Sequence, residues 1–297
     1  MKQLSLLAKI MFCIVAVLFV VTVVLGVITA VKDSKEGKDK NQNITSTTLT
    51  PGPTSSSASG TGSSETPGTE LENTPTPAPT KAPAATGGHK IAIDPGQQKS
   101  QMSDEEPVGP GASSTAVKMS YGATSVTTGK REHEWSLQFS KRLEAELISR
   151  GYEVVLTRQE ADVKISNAER AQLANESGAE LYLSIQADAA SNKDARGIYT
   201  QIPSKNNTFV GNLYDDCKRL AKEIQNNLIA ETGAKDRGVQ ENDKVTAINY
   251  SKVPVAVLQL GFMSNTEEDT NLWTESYQNK MIKAICDGID KYFQSQE

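Results

Sequence analysis

Residues 254–260 read PVAVLQL, a run of apolar and β-branched side chains interrupted only by Gln259. A strand with almost no polar face belongs inside a sheet that is covered on both sides, which is the situation of parallel sheets in α/β folds. Working outward, the same composition recurs. Lys90–Asp94 is a short apolar strand that stops at Pro95-Gly96, and Tyr152–Thr157 is a β-branched strand entered through Gly151. Leu181–Gln186 is a third apolar strand and Gly197–Ile202 a fourth. Helical patterns alternate with them. Leu137, Leu143, Leu147 and Ile148 recur at helical spacing across Trp135–Ile148, on a helix predicted to begin near Lys130. Ser166 and Glu169 form a capping box that opens a helix running to about Ser177. Leu213–Ile229 places Leu220, Ile224 and Leu228 on one face, and Met281–Phe293 is a closing helix. This alternation predicts an α/β domain over residues 89–297, built on a mostly parallel twisted sheet with helices on both faces. Ligands of such sheets sit beyond the carboxyl ends of the strands. Asp94–Gln97, Gln186–Asp188 and Gln259–Phe262 are therefore expected near one another.

Upstream the composition changes twice. Ile10–Val31 is 22 residues without a charge. As a helix it is about 33 Å long, enough for a bilayer's hydrocarbon core. It is longer than the apolar stretch of a cleaved signal peptide, and no clear A-x-A site follows it. We expect a transmembrane anchor over 10–31 preceded by a cytoplasmic tail of residues 1–9. Lys32, Lys35, Lys38 and Lys40 outnumber Lys2 and Lys9, which by itself leans toward a cytoplasmic C-terminal side. The segment beyond them argues the opposite. Residues 32–88 are rich in Ser, Thr, Pro and Gly, with seven of the 12 prolines, and cannot bury enough apolar surface to offset chain entropy. Such a disordered, extended spacer suits a domain held away from the membrane, within a thick extracellular matrix. The expected location is the cell membrane, single-pass, with the C-terminal domain extracytoplasmic.

Charge narrows the partners. Lys and Arg total 31 against 36 Asp and Glu, a net −5, so no basic surface is offered to nucleic acid. Three cysteines allow one bridge at most. Cys13 reads as a small apolar filler, and Cys217 and Cys286, on different predicted helices, as buried free thiols. Two histidines, His89 and His133, are few for any metal site. His89 is expected to be solvated at the linker junction.

Several ordered stretches carry a resemblance. KIAIDPGQQ (90–98), EEPVGPGASS (105–114) leading to TGKREHEWSL (128–137), RGYEVVLTR (150–158), ISNAERAQLAN (165–175), LSIQAD (183–188) and VPVAVLQLGFMSNTEED (253–269) together resemble the type 3, AmiC-like, zinc-dependent N-acetylmuramoyl-L-alanine amidases. That resemblance implies a peptidoglycan or muropeptide substrate cut at the amide between muramic acid and the stem peptide. It also implies zinc held by a His in a D-P/A-G-H motif, a Glu opening the first long helix and a His in an S-I-H-A-N motif. A second Glu, in a V-E-x-G-F/Y motif, would be the general acid/base. The corresponding residues here are Gln97, Glu132, Gln186 and Gln259, so only Glu132 is retained.

Zinc takes imidazole, thiolate or carboxylate in a tetrahedral set, and an amide oxygen suits harder cations. Without the ion a water keeps its bulk acidity, and Gln259 cannot take up its proton. We therefore expect no catalytic residue, no metal and no cofactor, and a metal-free polar pocket. His133 neighbours Glu132 and on a helix points about 100° from it. Asp188 shares the strand face of Gln186, so a Glu132–Asp188 pair could hold Ca²⁺ or Mg²⁺ weakly. Arg158, Arg170 and Asp188 are candidate contacts for the ligand, the arginines to muropeptide carboxylates; the alternative for both arginines is salt bridges inside the fold. Three functions follow. The first is a membrane-tethered pseudo-amidase that binds wall or regulates. The second is a working hydrolase. The third is a module that docks on a true amidase or another envelope protein.

Overall fold

The computed structural model describes residues 88–296. The expected anchor, tail and spacer lie outside the described residues; within them no helix is long and apolar enough to cross a membrane. Six strands make the central sheet: β1 (Lys90–Pro95), β4 (Glu153–Leu156), β5 (Leu181–Asp188), β6 (Ile198–Ile202), β7 (Asp236–Glu241) and β8 (Val255–Phe262). Their order is β4-β1-β5-β8-β6-β7. Neighbours run parallel except β6 and β8, which are antiparallel. The mostly parallel sheet is thus present, with one reversal near its edge.

The interior run at 254–260 becomes β8, buried at every position from Val255 to Phe262. Its alternation divides the core. Ala256, Leu258 and Leu260 pack with Leu183, Ile185 and Ile93 in one cluster, and Val255 and Val257 pack with Tyr182 and Ala92 in another. The first cluster is covered by α1 (Glu132–Ser149), by the Leu220–Ile224–Leu228 stripe of α3 (Tyr214–Thr232) and by α6 (Glu275–Gln294). The second is covered by α2 (Asn167–Glu176), the single turn α4 (Thr246–Asn249) and the Cys217–Ala221 flank of α3. Helices therefore lie on both faces. Trp135 of α1 is fully buried and donates its indole N–H to the Leu272 carbonyl at 2.8 Å, which ties α1 to α5 (Thr266–Trp273).

Local signals act where expected. The Ser166 hydroxyl accepts from the Glu169 N–H, and the Glu169 carboxylate accepts from the Ser166 N–H, closing the box that starts α2. Gly151 adopts φ 91° between α1 and β4. Cys217 and Cys286 are buried and free.

Other expectations are corrected. EEPVGPGASS, given no element from the sequence, ends a strand and turns back as a hairpin: its first three residues close β2 (Met102–Pro107), which pairs antiparallel with β3 (Thr115–Met119). Ile148 is 54% exposed, so the α1 stripe ends at Leu147. α6 begins at Glu275, six residues before its apolar periodicity starts at Met281. His89 stacks on Phe293 with ring centroids 3.9 Å apart, and its Nδ1 meets Glu180 at 2.8 Å.

Candidate functional site

The carboxyl ends of β1, β5 and β8 meet at one end of the sheet, where register sets Asp94 beside Ser184 and Gln186 beside Gln259. The floor is Asp94, 2% exposed. It accepts from Thr157 Oγ1 at 2.6 Å, Ser184 Oγ at 2.8 Å and Arg170 Nη1 at 2.8 Å. Burial alone would raise this carboxyl, but the guanidinium and the hydroxyls hold it below the ordinary carboxylate range.

Arg170 is fully buried and also donates to the Pro95 and Gln97 carbonyls and to Gln98 Oε1. Arg158, 3% exposed, donates to the Pro95, Gly96, His133 and Glu160 carbonyls and to Ser136 Oγ. Burial and the neighbouring Arg170 pull its pKa down to about 10. The two arginines clamp the loop after β1 and are closed off from solvent. The salt-bridge alternative describes Arg170; Arg158 is held by carbonyl and hydroxyl oxygens.

Above the floor lie Gln97, Glu132, Gln186 and Gln259, the four positions named from the resemblance. Gln97 is the one non-glycine with positive φ among the described residues, at 62°. Its Oε1 accepts from Ser120 Oγ at 2.8 Å, and its side chain also hydrogen-bonds Glu132. Glu132 is the first residue of α1 and 2% exposed. Its Oε2 accepts from the Ala123 N–H at 2.8 Å and its Oε1 from the Ala187 N–H at 3.1 Å. Burial pushes the Glu132 carboxyl up to about 7, opposed by those backbone donors and Gln97 and assisted by Asp188. Gly122, at φ 78°, lies so close that a Cβ there would collide with the Glu132 carboxylate.

Gln186 Nε2 donates to Ser184 Oγ at 3.2 Å, and Gln259 Nε2 donates to Gln186 Oε1 at 2.9 Å. Gln259 is 8% exposed and its Oε1 is buried with no partner. Leaving such an acceptor unpaired costs about 1–3 kcal/mol. Asp188 accepts from Tyr199 Oη and from the Ala189 N–H, both at 2.6 Å. Burial, followed by that hydrogen bond to Asp188, raises the Tyr199 hydroxyl well above its ordinary range. His133 is buried, with Nδ1 3.3 Å from the Tyr121 carbonyl. Among the described residues no three His, Cys, Asp or Glu side chains are grouped so as to hold a metal ion.

Sequence reasoning brought together the four row positions and Asp188. It missed Ser120, Ser184 and Tyr199, which hydrogen-bond Gln97, Gln186 and Asp188, and Thr157, which holds Asp94 below them. The alternation of LSIQAD was a usable signal, since it puts Ser184, Gln186 and Asp188 on one strand face.

The family model described as N-acetylmuramoyl-L-alanine amidase matches residues 91–291. The chain belongs to that family. The chain is 32% identical to the N-acetylmuramoyl-L-alanine amidase LytC of Bacillus subtilis over 170 residues, 57% of this chain and 32% of LytC. It is also 32% identical to the uncharacterized protein YqiI of the same organism over 168 residues, 57% of this chain and 77% of YqiI. Among solved structures, the N-acetylmuramoyl-L-alanine amidase of Clostridium difficile 630 superposes with a TM-score of 0.58 at 27% identity, covering 71% of this chain and all of that one. The match spans about a third of LytC's length.

Proposed function

We propose that this member of the amidase family recognises peptidoglycan without hydrolysing it. The observation that carries the proposal is the row itself. Three of its four side chains are amides, and at the two amide positions that match family zinc ligands the oxygens are committed, Gln97 Oε1 to Ser120 Oγ and Gln186 Oε1 to Gln259 Nε2. Both oxygens of Glu132, the lone carboxylate of the row, already accept backbone N–H groups. A tetrahedral zinc site needs deprotonated or imidazole ligands, and Gln97, Glu132 and Gln186 do not fit one. Gln259 has no proton-accepting form near neutrality, so general-base chemistry at that position is missing too.

The chain would act as a wall-binding or regulatory module. Residues 10–31 would anchor it in the cell membrane, and 32–88 would let the amidase domain reach into the wall on the outer side. Both roles rest on the sequence pattern of those segments.

A second reading is favoured by the names of the relatives. LytC is called an amidase, and homology alone would make this chain a working one. One assay separates the two. The purified full chain is incubated with cell walls, with zinc or with chelator, and released stem peptides and bound protein are both measured. Binding with no release in either arm is expected. Release of stem peptides that the chelator abolishes would overturn the proposal.

A further inference from the structure

The chain enters the sheet at the end opposite the row. β1 starts at Lys90, and the loop beyond its carboxyl end carries Gln97. Its six residues separate entry from site by about 20 Å. β1 is an interior strand, between β4 and β5 and parallel to both. It is in register with β4 from Lys90 opposite Glu153 to Ile93 opposite Leu156. It is in register with β5 from Ile91 opposite Leu181 to Pro95 opposite Ile185. The entry is fastened to three elements. His89 stacks on Phe293 of α6, and its Nδ1 meets Glu180, just before β5, at 2.8 Å. The His89 carbonyl accepts from the Glu153 N–H at 3.0 Å and the Lys90 carbonyl from the Glu180 N–H at 2.7 Å. Lys90 Nζ pairs with Glu153 at 2.9 Å. At the other end Arg158 and Arg170 hold the loop that β1 runs into.

This placement decides how the domain meets a pull. Tension from the segment upstream of Gly88 runs down the axis of β1. Tension from the row enters through Gln186 on β5 and Gln259 on β8 and runs the other way. The hydrogen bonds between the strands cross that line, so they are loaded together and must fail together. The C-terminus offers the opposite geometry. Phe293, near the end of α6, lies against His89, so both ends of the domain leave at one pole. A pull between them peels α6 from its last turn, one bond at a time.

We propose that the domain is a force-bearing link, in which the β1–β5 ladder carries tension, in shear, between the anchored segment and a wall strand held at the row. This goes beyond recognition and rests on the proposed wall binding and anchor. A hydrolase would sever the strand it pulled on, whereas a row of amides leaves the link whole.

The test is single-molecule force spectroscopy on the full chain in detergent, with Cys13→Ser. One handle is fixed at Ser57→Cys in the spacer, and the second at either Ala189→Cys, just beyond β5, or Ser295→Cys, at the end of α6; both positions are exposed. Forced unfolding reads the unfolding rate along the chosen direction, so one fold gives two answers. At equal pulling rate the Ala189 geometry should need a severalfold higher force than the Ser295 geometry. In a third arm a bead coated with cell-wall fragments replaces the Ala189 handle, and the bead should come away before the domain unfolds. Equal forces in the first two arms, or a lower force at Ala189, would overturn the link and leave wall recognition standing. Failure of the coated bead to capture the chain would overturn the recognition on which the link rests. Both cysteines lie on the surface, and circular dichroism of each variant matching the native chain ties a difference in force to direction alone.

Discussion

The floor of the site and the row above it solve the burial of polar atoms in opposite ways. The floor sets a full negative charge against a full positive one, Asp94 against Arg170, with hydroxyls and carbonyls filling the remaining positions. The row keeps one carboxylate, Glu132, without an ion-pair partner, and is otherwise neutral. The difference teaches where this fold needs charge. The floor holds the loop after β1 in place, and removing half of a buried pair strands the other half. The row asks only for hydrogen-bond complementarity, which amides supply at less desolvation cost than carboxylates.

The sharpest break of that contrast is Arg170→Leu. It leaves Asp94 buried and uncompensated, so a loss of about 3–5 kcal/mol is expected in denaturant unfolding. Gln259→Leu, one layer above, should change stability by less than about 1 kcal/mol, because Gln186 is partly exposed and water can replace the lost donor. Similar losses for the two would erase the distinction.

The two layers should also respond to pH with opposite sign. Glu132 titrates at about 7 in the folded chain, above the ordinary value of 4.5. The folded state therefore binds that proton more tightly. Its contribution is fully present below about 4.5 and is lost as pH rises through 7, a change of roughly 3 kcal/mol. Asp94, held low, contributes above its ordinary range and loses that contribution as pH falls. Carboxyl carbon NMR titration would show the difference; a Glu132 midpoint near 4.5 would contradict it.

Two smaller effects concern the backbone around the row. Gly122→Ala places a Cβ against the Glu132 carboxylate at φ 78°, and about 2 kcal/mol of destabilisation is expected in thermal unfolding. Gln97→Gly relieves a left-handed backbone but loses the bond from Ser120, so the net should stay within about 1 kcal/mol. A large loss there would mean that the Gln97 side chain, and not its backbone, organises the row.

The fold was legible wherever apolar periodicity was strong. PVAVLQL announced a central strand, and Ser166 with Glu169 announced a helix start. Elements whose residues face solvent on most sides were not legible. β7 reads DRGVQE, an edge strand with one neighbour and no apolar face. β2 reads MSDEEP, charged because it lies in a hairpin outside the main sheet. α5 did leave a signal, since Asn265 precedes Glu267 and Glu268 and caps their N–H groups. In the site, strand ends and parallel register were enough to bring Gln97, Gln186 and Gln259 together. The sequence could not say that Arg158 and Arg170 turn inward, because a long cationic side chain beside a strand end can serve a loop or a ligand equally well. Only the positions of the Pro95, Gly96 and Gln97 carbonyls decide it.

The most direct test of a site held by amides instead of a metal is the zinc content of the purified full chain after incubation with zinc and dialysis. The triple variant Gln97→His, Gln186→His, Gln259→Glu is carried alongside. The native chain should retain no zinc above the buffer blank, while the variant, given imidazole and carboxylate ligands, should retain about one ion per chain. One zinc ion retained by the native chain would contradict the account.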